Sequence, residues 1–285
     1  MNRILVTGAT GTVGVNVVRE LGERGVAVRV LTRDLRRAAC ALGDAVEIVR
    51  GDFADPVSVQ AALRGIERVF VCSPNHPRQV EHETTVIAAA ARAGVQLIVK
   101  IGAIIAEIGS PLRFADAHAR IEEHLRACGR PSVVLRPSFF MSNPLVSLAW
   151  TGQAGAVFAP AGEAKLAMID PRDVATVAAV VLTGDGHEGR TYSLTGPEAL
   201  TYHDVARELS AVTGRSVNYV GISDSVAREA MVGDGLPEWL ADQIVLLWGA
   251  LRRGAVATTT DVFRALTGHE PRTFADFARD FARPG

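Results

Sequence analysis

The chain has 285 residues with a formal net charge of −1, and 48% of them are hydrophobic. A nearly neutral chain has no general electrostatic attraction to nucleic acid or to acidic membranes. No apolar run is long enough to span a bilayer, and the first one begins almost at the first residue, without a signal-peptide pattern. We therefore expect a cytoplasmic globular protein with no nucleic-acid or membrane partner.

The three cysteines do not form a metal-binding or disulfide pattern. Cys40, Cys72 and Cys128 are scattered, odd in number, and lack the close spacing of metal ligands. Only two of the 30 basic residues are lysines, Lys100 and Lys165, which limits any mechanism that needs a lysine. The sequence thus predicts neither a metal site nor a disulfide framework.

The beginning of the chain predicts the first half of a nucleotide-binding unit. A short apolar run is followed by Gly8, Gly11 and Gly14, then by helical periodicity that ends near Gly25, and a second apolar run occupies residues 26–31. Strand, glycine turn, helix and strand in this order are typical of a Rossmann fold, in which the glycines let backbone amides approach a pyrophosphate.

The end of the second predicted strand indicates which dinucleotide is bound. NAD-selective sites place an acidic side chain there, whereas an arginine accommodates the 2′-phosphate of NADPH. This position is Arg33, with Arg36 and Arg37 close behind, although Asp34 follows directly and is the alternative acidic partner. Because a guanidinium can hold phosphate bidentately, we favour NADPH over NADH.

The rest of the first half alternates short apolar runs with helical periodicity. Strands are predicted at residues 45–49, 68–72, 96–101 and 132–135, which indicates an α/β fold with a doubly wound, parallel Rossmann sheet. Asp52 follows the third strand at the edge of the sheet where ligands bind. Its carboxylate either bonds the adenine amine or caps its own loop.

The regular alternation of strands and helices ends near residue 143. Residues 144–165 are rich in loop-forming residues, and the helices after residue 196 have a different layout from those before it. We therefore assign residues 1–143, completed by 166–195, to an NAD(P)-binding Rossmann domain. Residues 144–165 and 196–285 are assigned to a smaller, mainly helical C-terminal region that binds the substrate.

Two polar residues are candidates for catalysis, each with a structural alternative. His118 falls on the apolar stripe of a helix predicted at residues 112–128, so its ring points toward the sheet. There it either exchanges protons near working pH or is a core histidine bonded to backbone. Lys100 ends the fifth predicted strand, where it either acts near the cofactor or is a structural cation. None of the three tyrosines has a lysine four residues later, which excludes the tyrosine–lysine mechanism of common short-chain dehydrogenases.

Several short motifs occur together over nearly the whole chain. They are Thr-Gly-Ala-Thr-Gly-Thr-Val-Gly at 7–14, Thr-Arg at 32–33, Gly-Asp-Phe at 51–53, Val-Lys at 99–100, His118-x-x-x-Glu122, Leu-Arg-Pro-Ser-Phe-Phe-Met-x-Asn at 135–143 and Ile-Asp-x-Arg-Asp-Val at 169–174. This combination resembles the NmrA-like branch of the atypical short-chain dehydrogenases. Members include NADPH-dependent quinone reductases, triphenylmethane dye reductases and reductases of alkaloid iminium ions, and others are redox-sensing regulators that keep the cofactor site.

The resemblance implies roles for individual residues in the cofactor site. The phosphates would be held by Gly8, Thr10, Gly11, Thr12 and Val13 at the pyrophosphate and by Arg33 at the 2′-phosphate. The remaining parts would be contacted by Asp52 and Phe53 at the adenine, by Cys72, Ser73 and Pro74 along the ribose, and by Lys100 and Pro137 near the nicotinamide. Gly102 departs from the serine that is common in the family, which puts proton delivery by a hydroxyl in doubt.

The missing tyrosine–lysine pair also indicates a class of substrate. A ketone needs a positioned proton donor as hydride arrives, whereas an iminium, a carbocation or a quinone is already electron-poor. We therefore expect a monomeric or homodimeric NADPH-dependent reductase whose small hydrophobic substrate is a quinone, an iminium or a polycyclic aromatic ketone. Alternatives are a non-catalytic NADP(H)-sensing regulator and a cofactor-retaining isomerase or epimerase. The candidate pocket residues, for which ordinary packing is the alternative, are Phe139, Phe140, Met141, Asn143, Trp150 and Phe158.

Overall fold

The computed structural model describes residues 3–43, 46–145 and 155–282, and the chain divides into two compact units. The first unit comprises Met1–Ser110, Phe114–Pro137 and Pro171–Ser193. The second comprises Pro111–Arg113, Ser138–Asp170 and Leu194–Gly285. Each unit is therefore assembled from separate segments of the chain.

Within the described ranges, the first unit is organised around a seven-stranded sheet in the order β3-β2-β1-β4-β5-β6-β8. The strands are β1 (Arg3–Thr7), β2 (Ala27–Thr32), β3 (Glu47–Arg50), β4 (Arg68–Val71), β5 (Leu97–Ile101), β6 (Ser132–Pro137) and β8 (Thr191–Leu194). The pairs from β3 to β6 are parallel. Hydrogen bonds from Gly189 N to Ser132 O and from Val134 N to Arg190 O show that β8 also runs parallel to β6. The predicted parallel Rossmann sheet is confirmed.

Helices bury the apolar side chains on the two faces of this sheet. On one face, Leu5, Val69 and Ile98 join a core cluster with residues of α3 (Pro56–Ala62), α4 (Gln79–Arg92) and α5 (Arg113–Ala127). Successive residues of a strand point to opposite faces of the sheet. The buried residues that precede and follow these three in their own strands therefore point to the other face. There α1 (Gly14–Glu23) packs against α6 (Pro171–Thr183). This arrangement is the doubly wound one that the alternation of strands and helices predicted.

Two local features differ from the sequence-based expectation. The third strand covers Glu47–Arg50, whereas residues 45–49 were predicted, of which Ala45 lies outside the described residues. The helix α2 (Leu35–Leu42) was not predicted, although Leu35, Ala38 and Leu42 follow a helical spacing over its two turns. Its start is fixed by Asp34, whose carboxylate caps the helix.

The second unit is mainly helical. Its helices are α7 (Tyr202–Thr213), α8 (Asp224–Gly233), α9 (Glu238–Arg252), α10 (Val262–Thr267) and α11 (Phe274–Ala282). A small parallel pair joins β7 (Ala156–Ala159) to β9 (Asn218–Gly221). The strand β7 lies in the stretch that the sequence analysis expected to be loop, since four residues are too few for a clear periodicity. Among the helices described, none combines the length and the apolar character needed to cross a membrane.

Candidate functional site

The parallel strands bring the predicted cofactor residues to one edge of the sheet. Gly8 follows β1, Arg33 follows β2, Asp52 follows β3 and Cys72 follows β4, while Pro137 ends β6. Parallel strands all end at the same edge, and ligands of open α/β sheets bind where the strand order reverses. Here the order reverses between β1 and β4, so the loops after these two strands border the site.

The glycine turn after β1 leaves no room for side chains. Gly8 has a φ of +62°, and a β-carbon there would lie 2.7 Å from the carbonyl oxygen of Cys72. A β-carbon on Gly14 would lie 2.2 Å from the carbonyl oxygen of Gly8, and the amide of Gly11 donates to that same oxygen at 3.0 Å. Positions 8 and 14 therefore require glycine, which keeps the backbone of the turn close to β4 and to α1 and open to the approach of a phosphate.

The helix that follows the turn presents an unneutralised positive end. Val13 is its N-cap and makes no side-chain capping bond, and the first turn of α1 carries no acidic residue. Thr10 is half-buried and Thr12 is exposed beside it. An uncapped helix N-terminus offers amide hydrogens and a positive dipole end to anions, so these residues fit a pyrophosphate.

The position after β2 fits a phosphate better than a ribose hydroxyl. Arg33 is exposed, and no carboxylate of the described residues forms an ion pair with it. The neighbouring Asp34, the alternative acidic partner, is already engaged: its Oδ1 accepts the amide of Arg37 at 3.0 Å and caps α2. The guanidinium is therefore available to an anion, while the carboxylate is held by its own backbone.

In the loop after β3, the Asp52 carboxylate caps the backbone of its own loop, which is one of the two roles that the sequence left open. Its Oδ1 accepts the amide of Ala54 at 2.9 Å, and its own amide donates to Ser58 Oγ at 3.1 Å. Phe53 is half-buried and packs against the core cluster of the sheet. The roles of Asp52 and Phe53 at an adenine stay predictions.

The loop after β4 is tied to the end of β1 and begins with a protonated thiol. The Thr7 hydroxyl accepts the amide of Cys72 at 2.9 Å, which joins the ends of β1 and β4. Although Cys72 as a whole residue is partly exposed, burial of its thiol, reinforced by the nearby Glu83 carboxylate, raises its pKa to about 12. The thiol is thus no nucleophile near neutral pH.

Lys100 is fully buried and faces three acceptors. Its Nζ donates to the carbonyl oxygen of Ile101 and lies 2.9 Å from Nδ1 of His118. The same nitrogen lies 3.2 Å from Oε2 of Glu83, an ion-pair distance without hydrogen-bond alignment. The contact between Lys100 and His118, the two predicted catalytic residues, is therefore direct.

Glu83 and Gln79 complete this cluster, and the sequence analysis missed both. Glu83 Oε1 accepts the Ser73 hydroxyl at 2.7 Å and Gln79 Nε2 at 3.1 Å, and both α4 residues are buried. A signal was present: Gln79 and Glu83 continue the spacing of the apolar residues Val86 and Ile87 along the buried stripe of α4. A polar pair on a buried stripe indicates a satisfied internal network.

His118 is held as a neutral ring with its hydrogen on Nε2. Burial, followed by the positive charges of Lys100 and Arg136, lowers its pKa well below 6.5. Because the Lys100 ammonium donates to Nδ1, that nitrogen is the acceptor and the ring hydrogen is on Nε2. His118 can therefore act as a hydrogen-bond donor through Nε2, with a second proton donor directly behind it.

A buried ion pair fills the space beside Gly102. Glu122 is fully buried, and Arg136 binds its carboxylate with two nitrogens, Nε at 3.1 Å from Oε1 and Nη2 at Oε2. A β-carbon on Gly102 would lie 2.7 Å from that Oε1. A serine at this position, which the resemblance led us to expect, would therefore displace the Glu122 carboxylate. Close by, Pro137 is buried, and its carbonyl oxygen accepts the amide of Ile104 at 3.1 Å.

The second unit contains most of the predicted pocket residues. The ring of Phe139 lies 5.6 Å from that of Trp248, which in turn lies 5.4 Å from Tyr202. The backbone of Phe139 and Met141 bonds to Ile169 on either side of Phe140. Trp248 is the aromatic neighbour that the sequence analysis missed, since it falls in a mostly apolar helix in which ordinary packing is the simpler interpretation.

The remaining pocket candidates differ in their exposure. Met141 is 1% exposed and packs in the core, whereas Phe140, Asn143 and Phe158 are half-buried. Trp150 lies outside the described residues. The role of all six as pocket residues stays a prediction.

Comparisons with known proteins point to one family. The sequence profile of the NmrA-like family matches residues 1–253. The chain is 38% identical to the NAD(P)H azoreductase of Xenophilus azovorans and 38% identical to the (4-alkanoyl-5-oxo-2,5-dihydrofuran-3-yl)methyl phosphate reductase of Streptomyces griseus subsp. griseus, over 98% of both chains in each case. The NADPH-dependent quinone oxidoreductase of Escherichia coli, solved in complex with NADPH, superimposes with a TM-score of 0.88 at 28% identity, over 98% of this chain and 100% of that one.

Proposed function

Because the chain belongs to the NmrA-like family and is an NAD(P)H-dependent oxidoreductase of the atypical short-chain dehydrogenase type, we propose that it reduces a hydrophobic, electron-poor substrate. The cofactor is NADP(H), which when bound supplies the hydride. The proposed substrates are quinones, iminium ions and polycyclic aromatic ketones. A cytoplasmic location and a monomeric or homodimeric state also stay predictions.

The cofactor assignment rests on residues of the first unit. The bare cradle of Gly8, Gly11 and Gly14 and the uncapped start of α1 support pyrophosphate binding, with Thr10, Thr12 and Val13 beside it. The guanidinium of Arg33, which forms no ion pair with a carboxylate of the described residues, supports the choice of the 2′-phosphate form. We assign substrate binding to the second unit.

The Lys100–His118 contact is the observation that carries the proposal. His118 gives its Nε2 hydrogen to the substrate atom that becomes negative, while Nδ1 receives a proton from Lys100 Nζ. The substrate thus gains a hydride and a proton, and Lys100 regains its proton from water by the reverse of this route. A neutral imidazole is a weak acid, which favours substrates that are electron-poor before they are protonated.

The relatives do not identify the substrate. Two reductases that are equally similar to this chain act on an azo compound and on a phosphorylated dihydrofuranone, by their names. An azo bond is an electron-poor acceptor of the proposed class, whereas the second substrate carries a phosphate. The proposed preference for a hydrophobic aromatic substrate is supported by the aromatic group around Phe139 and Trp248.

The proposal is tested by titrating the purified protein with NADPH and NADH. Consumption of the reduced cofactor is then followed by its near-ultraviolet absorbance with quinones, azo dyes, a triphenylmethane cation and aromatic ketones. We expect NADPH to bind more tightly and to be consumed with quinones or dyes. Tight binding without consumption by any acceptor would instead favour the regulator, and turnover of a substrate without net consumption would favour the isomerase.

A pair of variants on one helix tests the role of His118. The variant H118Q should lose most of the quinone activity, because it removes the ring that links Lys100 to the substrate. The variant H124Q changes an exposed histidine of the same helix and should keep the activity. Equal activity of H118Q and H124Q would show that His118 does not donate the proton.

A further inference from the structure

We propose that Glu83 is a positioning residue, which fixes His118 as the Nε2–H tautomer by holding the Lys100 ammonium against Nδ1. The same carboxylate connects this pair to Ser73 in the loop after β4. No motif of the sequence singled out Glu83. Its catalytic consequence rests on the function proposed above, whereas its effect on the tautomer does not.

The geometry places Glu83 at the centre of the cluster. Its side chain is 1% exposed, and its two oxygens face different partners. Oε1 accepts the hydroxyl of Ser73 and the amide nitrogen of Gln79, and Oε2 lies 3.2 Å from Lys100 Nζ. Among the described residues, the hydrogen bonds and ion pairs of Glu83 therefore connect the loop after β4 with the Lys100 ammonium.

The charge of Glu83 decides what Lys100 can do. A fully buried ammonium is costly unless an opposite charge lies beside it. The other groups around it are the Ile101 carbonyl, the neutral His118 ring and the protonated Cys72 thiol, and none of them carries a negative charge. Farther along α5, the Glu122 carboxylate is bound by Arg136. Glu83 thus supplies the countercharge that keeps Lys100 protonated.

The state of Lys100 in turn fixes the ring of His118. An ammonium has hydrogens to donate and no acceptor, so Nδ1 must accept and the ring hydrogen must be on Nε2. A neutral amine can both donate and accept, so the ring could then carry its hydrogen on either nitrogen. Removing the carboxylate should therefore change the tautomer of a residue that Glu83 does not touch.

The first test is nuclear magnetic resonance of the cofactor-free protein labelled with ¹⁵N in histidine. Long-range proton–nitrogen correlations distinguish the two tautomers of His118, whose signal is assigned by its absence in H118Q. We expect Nε2–H alone in the wild type and a mixture of tautomers in Glu83→Gln. The control Glu81→Gln changes an exposed carboxylate of the same helix and should retain the wild-type pattern. A folded Glu83→Gln with Nε2–H alone would overturn the proposal.

A second variant keeps the test decisive if Glu83→Gln does not fold. Lys100→Met removes the ammonium itself and keeps a side chain of similar length. We expect a mixture of tautomers in this variant as well, because Nδ1 then has no donor beside it. Nε2–H alone in folded Lys100→Met would overturn the proposal.

The second test compares two acceptors with different proton requirements. A quinone takes up a hydride and a proton, whereas a triphenylmethane cation takes up a hydride alone. We expect Glu83→Gln to lower kcat for the quinone by about 100-fold, the lower range for a lost general acid, and to leave kcat for the cation nearly unchanged. Equal losses on both acceptors would show a merely structural role. If the wild type reduces neither acceptor, the proposed function fails, while the tautomer measurement still decides the role of Glu83.

Discussion

The carboxylate of Glu122 occupies the space that a side chain at Gly102 would need, with its Oε1 2.7 Å from the position of a β-carbon. This oxygen cannot easily retreat, because Arg136 holds the carboxylate with two nitrogens. A buried ion pair therefore occupies the space that a hydroxyl at residue 102 would need. Proton delivery by a side chain at this position is not possible in this arrangement.

The first prediction concerns a serine hydroxyl placed at residue 102. We expect Gly102→Ser to lower the free energy of unfolding by about 1–3 kcal/mol, the usual cost of overpacking, without raising the activity on ketones. Urea unfolding measures the first and cofactor consumption the second. The control is Gly22→Ser in α1, where a β-carbon meets no atom within 4 Å. A stable and more active Gly102→Ser would show that Glu122 can move aside.

The second prediction concerns the glycine turn. A β-carbon on Gly14 would lie 2.2 Å from the carbonyl oxygen of Gly8, so Gly14→Ala must distort the turn. We expect this variant to lose about 1–3 kcal/mol of stability and most of its NADPH binding. The matched variant Gly22→Ala in the same helix should gain up to about 1 kcal/mol, because alanine is the better helix former. Urea unfolding and a binding titration measure both, and equal behaviour of the two variants would contradict the close packing.

The third prediction concerns the choice of cofactor. Arg33→Ala removes a charge-assisted bond of about 1.5–3 kcal/mol, so its Kd for NADPH should rise by about tenfold or more. Its Kd for NADH should change little, because NADH has no 2′-phosphate. The control Arg92→Ala removes an exposed arginine from the last turn of α4, away from the end of β2, and should alter neither constant. Fluorescence titration measures both dissociation constants. An equal loss of affinity for NADH would show that Arg33 does not contact the 2′-phosphate.

The fourth prediction concerns the pH dependence of stability. The folded pKa of His118 lies well below 6.5, so between these two values the unfolded state binds a proton that the folded state does not. Stability therefore falls as the pH falls below about 6.5, with a contribution from this group of about 1.4 kcal/mol per pH unit. Above pH 6.5 the ring is neutral in both states and contributes no slope.

Urea unfolding between about pH 5 and pH 8 measures this effect by difference. The variant H118Q should lose part of the acid destabilisation that the wild type shows, whereas H124Q, which changes the exposed histidine of the same helix, should retain it. Other titrating groups cancel in the comparison. Identical slopes for H118Q and the wild type would mean that the ring is protonated in the folded state.

The sequence by itself determined the features that depend on neighbouring residues. The glycine turn, the alternation of strands and helices, and the stripe that points His118 inward arise from local backbone requirements and from short periods along the chain. They sufficed for the parallel sheet, for the family and for the edge of the sheet where the cofactor residues lie. The short elements α2 and β7 were missed because eight and four residues repeat a period too few times to distinguish it from a loop.

Only the tertiary structure decided which alternatives hold among the polar residues. Asp34 is a helix cap, Lys100 contacts a ring 18 residues away, and Glu83 joins that pair to a hydroxyl 10 residues before it. Residue type restricts what such groups can bond, but their partners are set by which strands and helices are adjacent. Burial then fixes their charge, because a low-dielectric interior leaves His118 neutral and requires a carboxylate beside Lys100.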